Sequence, residues 1–409
     1  MGYRRTMAVA DAEIDALKQS VCDEVDRLAG QLLDASHQIH AHPELNFEEH
    51  FAHDLLTSLL DDAGLEAQRH AYDLPTAFEA RAGDTGIDVA VLCEYDALPA
   101  IGHACGHNII ATAGLGAGLA AAAVARRAGG RVRVMGTPAE EGGGGKIEMA
   151  RNGAFTSLDA AMMIHPADAD LIRMDTIAVR QGDVFFEGRA AHAAAAPHEG
   201  RNALDAAVLG YMNVAALRQH ILPTERIHGV FLKGGDKANI VPAEVAMQWM
   251  VRSPTIASLH PLIERVQACF DGSALACGCT TSTEWQSVIY ADMIDNAPMV
   301  ESYVANAARL GRLVGDPRAI GKRVVGSTDM GNISYLVPSI HPMIQVAPNG
   351  VNIHTVDFAE WAVGPEGDRA VIDGAKAMAM TVVDLWCRPG LIDAVRTSFA
   401  ERPAGVEVL

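Results

Sequence analysis

Four short segments carry residue types from which a metal-assisted hydrolytic site can be assembled. In GHACGH, residues 102–107, the Cys105 thiol and the His107 imidazole stand two apart in a glycine-bearing loop just before a long apolar stretch. Thiolate and imidazole both ligate borderline divalent cations, and a C-x-H pair can serve two adjacent ions. A buried cysteine beside a hydrogen-bonded histidine would read the same way. In PAEEGGGG, residues 138–145, Glu140 and Glu141 are neighbouring carboxylates with four glycines behind them. Neighbouring residues point differently, so one can coordinate a cation while the other takes a proton from an activated water and returns it to a leaving amine. Spacing does not say which does which, and a solvated acidic turn is the plain alternative. His165 in MMIHP and His354 in NIHT each follow an apolar run. There a neutral imidazole can complete a coordination sphere or serve structure alone.

The elements that must position these groups follow from hydrophobic pattern. From about residue 88 the chain alternates short, almost continuously apolar runs with Ala- or Gly-rich segments: DVAVLCEY, then 108–128, then RVRVMG, a helix near 146–153, then DAAMMIH. Continuous apolar strands alternating with helices predict a mainly parallel sheet covered on both faces, an α/β fold. In such sheets ligands sit beyond the carboxyl ends of the strands. Asp96 follows the first run, Glu140 and Glu141 the second, and His165 closes the third, so each run delivers a polar group to the same edge. One thiolate, one carboxylate and three imidazoles converging there suit two ions roughly 3.5 to 4 Å apart that share a water.

Helical spacing covers 12–40, and FEEHFAHDLLTSLLDDAG ends at Gly64 as a helix should. Residues 180–292 change character, with RQGDVFFEGRA, an Ala-rich helix over 203–220, GVFLKGG and EVAMQWMVRS. They predict an inserted α+β domain between 1–179 and 293–409, two parts of one catalytic domain. Helix at 298–314, a core strand in PMIQVAPNG (342–350) and a last helix at 365–386 complete the second part.

Competing chemistries lack their residues. No H-E-x-x-H occurs, His198-Glu199 having no second histidine behind it, and no G-x-S-x-G elbow is present. The run GGGGK has Glu140 where a phosphate loop needs its first glycine and Ile147 where it needs Ser or Thr. Net charge is −19, from 32 basic and 51 acidic residues, with no basic stripe to follow a phosphate backbone, so nucleic acid is not an expected partner. At 409 residues with 49% hydrophobic and 20% charged residues, the chain can build more than one core. The N-terminus lacks the apolar run of a secretory signal and 111–125 falls short of a membrane span, giving a cytoplasmic expectation with no membrane partner. Seven scattered cysteines predict reduced thiols, and the Cys277–Cys279 pair, with no second pair nearby, reads as two small buried residues.

The motifs, in order, are HPELNFEE (42–49), EYDALPAIGHACGH (94–107), TPAEEGGGG (137–145), IHP (164–166), GRAAHA (188–193) and NIHT (352–355). Over 36–358 they resemble the dinuclear metallopeptidases that include aminoacylases and glutamate-releasing carboxypeptidases, and best their amidohydrolase branch of hippurate, indoleacetyl-amino-acid and aminobenzoyl-glutamate hydrolases and related dipeptidases. The resemblance implies a phosphorylase/hydrolase-like catalytic domain with a lid that also forms a homodimer. It implies two divalent ions per subunit, Zn²⁺ or Mn²⁺ with Co²⁺ or Ni²⁺ as options, held by Cys105, His107, Glu141, His165 and His354. Glu140 becomes the general base, and His192 of GRAAHA the donor to the substrate oxyanion in the other subunit's site. Asp96 would orient a ligating imidazole, and Asn239 of KANIVP would hold substrate. GSTDMGNISY (326–335) is most similar to the sub-branch of aminobenzoyl-glutamate hydrolases and dipeptidases. The implied substrate is a small N-acyl amino acid or dipeptide-like amide. A different C–N bond, as in deaminases or carbamoyl hydrolases, and a non-catalytic metal-binding dimer are the rival readings. His42 and His103 are expected to be structural.

Overall fold

The computed structural model describes residues 11–319, 325–403 and 405–409. Contacts divide the chain into one unit of residues 1–175, 293–404 and 409 and another of 176–292 and 405–408.

The first unit is built on a six-stranded sheet. Its strands are β1 (Ala67–Arg69), β2 (Phe78–Ala82), β3 (Asp88–Cys93), β4 (Arg131–Gly136), β5 (Ala160–Met162) and the two-residue strand Ser339–Ile340, in the order β1-β2-β4-β3-β5-(339–340). β3 runs parallel to β4 and β5, and β5 parallel to 339–340, while β2 is antiparallel to both neighbours. Every residue of β3 is buried, which is why DVAVLC shows no alternation.

Four helices matter for the site: α1 (Asp11–Ala41), α2 (His50–Asp62), α3 (His107–Ala128) and α4 (Gly145–Arg151). α3 is long and apolar enough to cross a membrane, but 89% of its apolar window is buried in the protein, as in a core helix. It packs between α1 and the helix Pro365–Cys387. Its glycines permit close approach to the sheet: a Cβ on Gly114 would stand 2.5 Å from the Leu92 carbonyl oxygen, and one on Gly118 2.2 Å from Val134 Cγ2. The Ala/Gly composition that resembles a membrane span in sequence is a packing requirement.

DAAMMIH departs from its expected single strand. β5 ends at Met162, and a further strand, His165–Ala167, pairs in parallel with Met343–Gln345 outside the main sheet. The chain leaves one sheet for another while staying buried, so hydrophobicity alone shows no break.

The second unit is an antiparallel sheet in the order (280–285)-(178–187)-(244–253)-(226–233), with helices Ala203–Leu217 and Ile256–Cys277. Glu244–Ser253 alternates strictly, burying Val245, Met247, Trp249 and Val251. Both helices pack on this sheet and on each other.

Candidate metal centre

The parallel register aligns the loops that carry chemistry. Cys93 pairs with Gly136, and the Thr137 amide donates to the Cys93 carbonyl at 2.8 Å, so segments 94–96 and 137–141 leave the sheet side by side. β5 emerges next to them and leads to His165. In the GHACGH loop, Gly106 takes a left-handed conformation (φ 76°) as the N-cap of α3, and a Cβ there would come within 2.9 Å of Pro166. This turn places Cys105 on one side and His107, first residue of α3, on the other. Both are buried.

Six groups meet at this edge. Cys105, His107 and His165 offer donor atoms all within 4.8 Å of one another, as do Cys105, Glu141 and His354, and His107, Glu140 and Glu141. The Cys105 sulfur is 3.4 Å from His165 Nε2, and Glu141 Oε1 is 3.3 Å from His354 Nε2 and 3.9 Å from His107 Nε2. His354 is half-exposed. Its amide donates to the Ala104 carbonyl at 2.8 Å, and its φ of 63° is left-handed. For a non-glycine residue that costs about 1 to 3 kcal/mol, a strain met where surroundings dictate a side-chain direction.

Supporting hydrogen bonds settle which imidazole nitrogen faces the cluster. His107 Nδ1 lies 2.9 Å from Asp96 Oδ1, and His165 Nδ1 lies 2.8 Å from the Pro166 carbonyl. Each Nδ1 therefore carries the proton, leaving the Nε2 lone pair for coordination. Asp96 uses both oxygens, since Oδ2 accepts from the Glu141 amide at 2.9 Å. One buried carboxylate thus orients two members of the cluster. His107 Nε2 and Glu141 Oε1 are buried and find no hydrogen-bond partner. Unsatisfied buried donors of mixed thiol, imidazole and carboxylate type fit divalent cations.

The electrostatics agree. Burial pushes the Cys105 thiol well up, aided by the Glu141 charge, and burial with the neighbouring His107 pushes His165 down to about 4. Burial also raises the Glu140 carboxyl well above the usual range, reinforced by Glu94, Glu141 and Asp329. A cation reverses this balance by compensating the clustered negative charge.

Sequence reasoning missed a second layer. Lys146, fully buried at the start of α4, is ion-paired through Nζ with Glu94 and, at 2.8 Å, with Asp329. Glu94 Oε2 lies 3.7 Å from His107 Nε2. His341 follows strand 339–340, and its buried ring packs edge-on 5.3 Å from that of His165. Its signal in the sequence was the same as that of His165, a histidine closing the apolar run VPSI.

The remaining candidates lie elsewhere. His192 and Asn239 share one surface of the second unit, where Ala193 N donates to Asn239 O at 3.1 Å. His192 Nδ1 accepts from the amides of Ala194 and Ala195 at 3.3 and 3.2 Å, so its exposed Nε2 carries the proton and is a donor. His42 stacks on Phe51 and bonds the Gln38 carbonyl, while burial pushes His103 down to about 3, keeping it neutral. Cys277 and Cys279 belong to no metal-type cluster among the described residues, and all seven cysteines are free.

Residues 93–382 match the model of peptidase family M20/M25/M40. The chain belongs to that family. It is a metal-dependent amidohydrolase of the M20 type, with the mainly parallel catalytic fold and separate α+β unit of M20 enzymes. It is 40% identical to the Xaa-Arg dipeptidase of Mus musculus over 95% of this chain and 93% of that protein. Against one of the two polypeptides of the p-aminobenzoyl-glutamate hydrolase of Escherichia coli K12, identity is 28% over 90% of this chain and 92% of that one. Among solved structures, a dinuclear metal binding M20 peptidase from Bacillus subtilis superposes with TM-score 0.69 at 17% identity, covering 88% of this chain and 99% of that one.

Proposed function

We propose that this M20 enzyme hydrolyses the amide bond of a dipeptide with two divalent cations held by Cys105, His107, Glu141, His165 and His354, with Glu140 as general base. The observation that carries the proposal is the meeting of these six groups at one sheet edge, with His107 Nε2 and Glu141 Oε1 buried and without hydrogen-bond partners. When bound, the cation pair lowers the pKa of water and polarises the scissile carbonyl. Glu140, whose buried carboxylate has a raised proton affinity, takes the proton as the water oxygen bonds to carbon and delivers it to the amine nitrogen as the C–N bond breaks. His192 Nε2–H is a candidate donor to the developing oxyanion, and Asn239, on the same surface, a substrate contact.

A C-terminal basic residue is the favoured substrate feature. Near-complete coverage at 40% identity to a protein named Xaa-Arg dipeptidase supports it, and a net charge of −19 attracts cationic ligands. The likeness to p-aminobenzoyl-glutamate hydrolase supports an acidic C-terminal residue as the second reading. Purified enzyme supplemented in turn with Zn²⁺, Mn²⁺, Co²⁺ and Ni²⁺ should cleave Xaa-Arg or Xaa-Lys dipeptides with kcat/KM at least tenfold above p-aminobenzoyl-glutamate, N-acetyl amino acids and N-carbamoyl amino acids. Preference for the glutamate conjugate would transfer the assignment to the second reading, and turnover of the carbamoyl compounds alone would overturn both. Metal analysis of the most active preparation identifies the cation.

The second unit supports a homodimer. Its edge strand 226–233 exposes Val230 (58%), Phe231 and Leu232 (55%), and helix Ala203–Leu217 exposes Val208, Leu209 and Met212. An unpaired strand edge beside a contiguous apolar patch invites a second copy. Val230→Asp with Leu232→Asp should convert the dimer to a folded monomer in light scattering. A wild-type monomer at micromolar concentration, or a double variant that stays dimeric, would remove this interface. Free thiols throughout support a reducing, cytoplasmic setting.

A further inference from the structure

The segment NFEE (46–49) supplies no group to the metal cluster, yet three of its residues abut the loop from which Glu140 projects. A Cβ on Gly142 would meet Asn46 Nδ2 at 2.6 Å, and one on Gly143 would meet Phe47 Cε2 at 2.4 Å. Glu49, fully buried, accepts from the Ala139 amide through Oε1 at 2.9 Å and from the Thr76 hydroxyl through Oε2 at 2.6 Å. Glu49 occupies the N-cap position of α2 but makes no capping bond to it. That helix start is served instead by Glu44, which accepts from the amides of Phe51 and Ala52 at 2.9 and 3.1 Å. The Glu49 carboxylate is thus directed away from its own helix and towards a residue 90 positions downstream.

Ala139 is the residue immediately before the proposed base, and its φ of 56° is left-handed. An L-residue there costs roughly 1 to 2 kcal/mol and needs an external partner to hold it. The same loop is gripped at two further amides by carboxylates from other segments, Glu141 N by Asp96 and Lys146 N by Asp329, both at 2.9 Å. Three carboxylates, each on one amide, leave the loop little freedom to rotate Glu140 off line.

We infer that Glu49 is a positioning residue for amide hydrolysis, bracing the strained Ala139 turn so that Glu140 meets the attacking water in line. The inference rests on Glu140 being the general base. Glutamine at position 49 can still present an oxygen to the Ala139 amide while its NH₂ donates to the Thr76 hydroxyl; leucine fills the space without either bond.

The test compares Glu49→Leu and Glu49→Gln in the metal-loaded holoenzyme. Misplacing a reacting group by about 1 Å costs about 10²-fold, so Glu49→Leu should lose kcat on that scale, with KM within about threefold and metal content unchanged. Amide hydrogen exchange across 137–146 should quicken in Glu49→Leu, and Glu49→Gln should recover at least tenfold of the lost kcat. Should Glu49→Leu fail to fold, Thr76→Val, which frees one oxygen of the brace, should show the same pattern with about a tenfold loss. Unchanged loop exchange, a kcat near wild type, or a loss explained wholly by lost metal overturns the brace. Glutamine failing to recover activity overturns it as well. A fully active Glu140→Gln beside quickened loop exchange in Glu49→Leu would instead sink the base assignment and leave the brace standing.

Discussion

Glu140→Gln should lower kcat by about 10² to 10⁴-fold while the protein keeps its metal content and its melting temperature. A positioned general base contributes on that scale, and the amide cannot take the water proton. Metal should stay because Cys105, His107, Glu141, His165 and His354 all remain. Burial and three neighbouring carboxylates raise the proton affinity of Glu140, and neutral glutamine removes one clustered negative charge, so folding should not suffer. Steady-state kinetics with parallel metal analysis decides the matter, and turnover within threefold of wild type would show that another group moves the proton. Mixed dimers of Glu140→Gln and His192→Ala subunits extend the same experiment. If His192 acts in the partner's site, mixing two inactive variants regenerates one complete site per dimer; proven mixed dimers without activity would restrict His192 to its own subunit or to no catalytic role.

Lys146→Met should cost the catalytic unit about 3 to 5 kcal/mol of stability, the penalty for stranding a buried charge whose partner is removed. Lys146 is the ion-pair partner of both Glu94 and Asp329, and all three side chains are fully buried. Burial already pushes the Glu94 and Asp329 carboxyls up, opposed chiefly by the Lys146 charge, so its loss favours their protonation. Urea unfolding with a probe in the catalytic unit measures the loss. Adding Glu94→Gln and Asp329→Asn to Lys146→Met should recover part of it, because no unpaired charge is then left inside. A single Lys146→Met variant as stable as wild type would mean that water reaches these carboxylates and that the triad is not a dry network.

Much of the architecture was legible because it depends on local pattern. The runs DVAVLC and RVRVMG are buried strands, EVAMQWMVRS coincides with the alternating strand Glu244–Ser253, and the last helix runs from Pro365 to Cys387 as its periodicity predicts. The helix expected over 298–314 ends earlier, at Arg309, because apolar residues continue beyond it in irregular chain. The strand expected in 342–350 contracts to Met343–Gln345, since Pro348, Asn349 and Gly350 carry the chain out of it. Both errors concern where an element stops, which apolar composition does not mark when the chain remains buried or turns at polar residues.

The sequence by itself determined that a thiol, two carboxylates and two imidazoles would reach one edge of a parallel sheet, since strand ends are set by hydrophobic runs and parallel strands share one direction. The placement of His354 beside them rested on a motif likeness, because its strand belongs to the small outer sheet. Only the tertiary structure decided which nitrogen of His107 and His165 is free, that Asp96 grips both His107 and the Glu141 amide, and that His341 stands beside His165. It alone joined Glu49 to Ala139 and Lys146 to Asp329 across 90 and 183 residues of chain. These are contacts between groups on separate elements, each of which would satisfy its own local pattern equally well without the other. No periodicity records such a pairing; it comes into being when the sheet brings the loops together and burial obliges every amide and carboxylate there to find a partner.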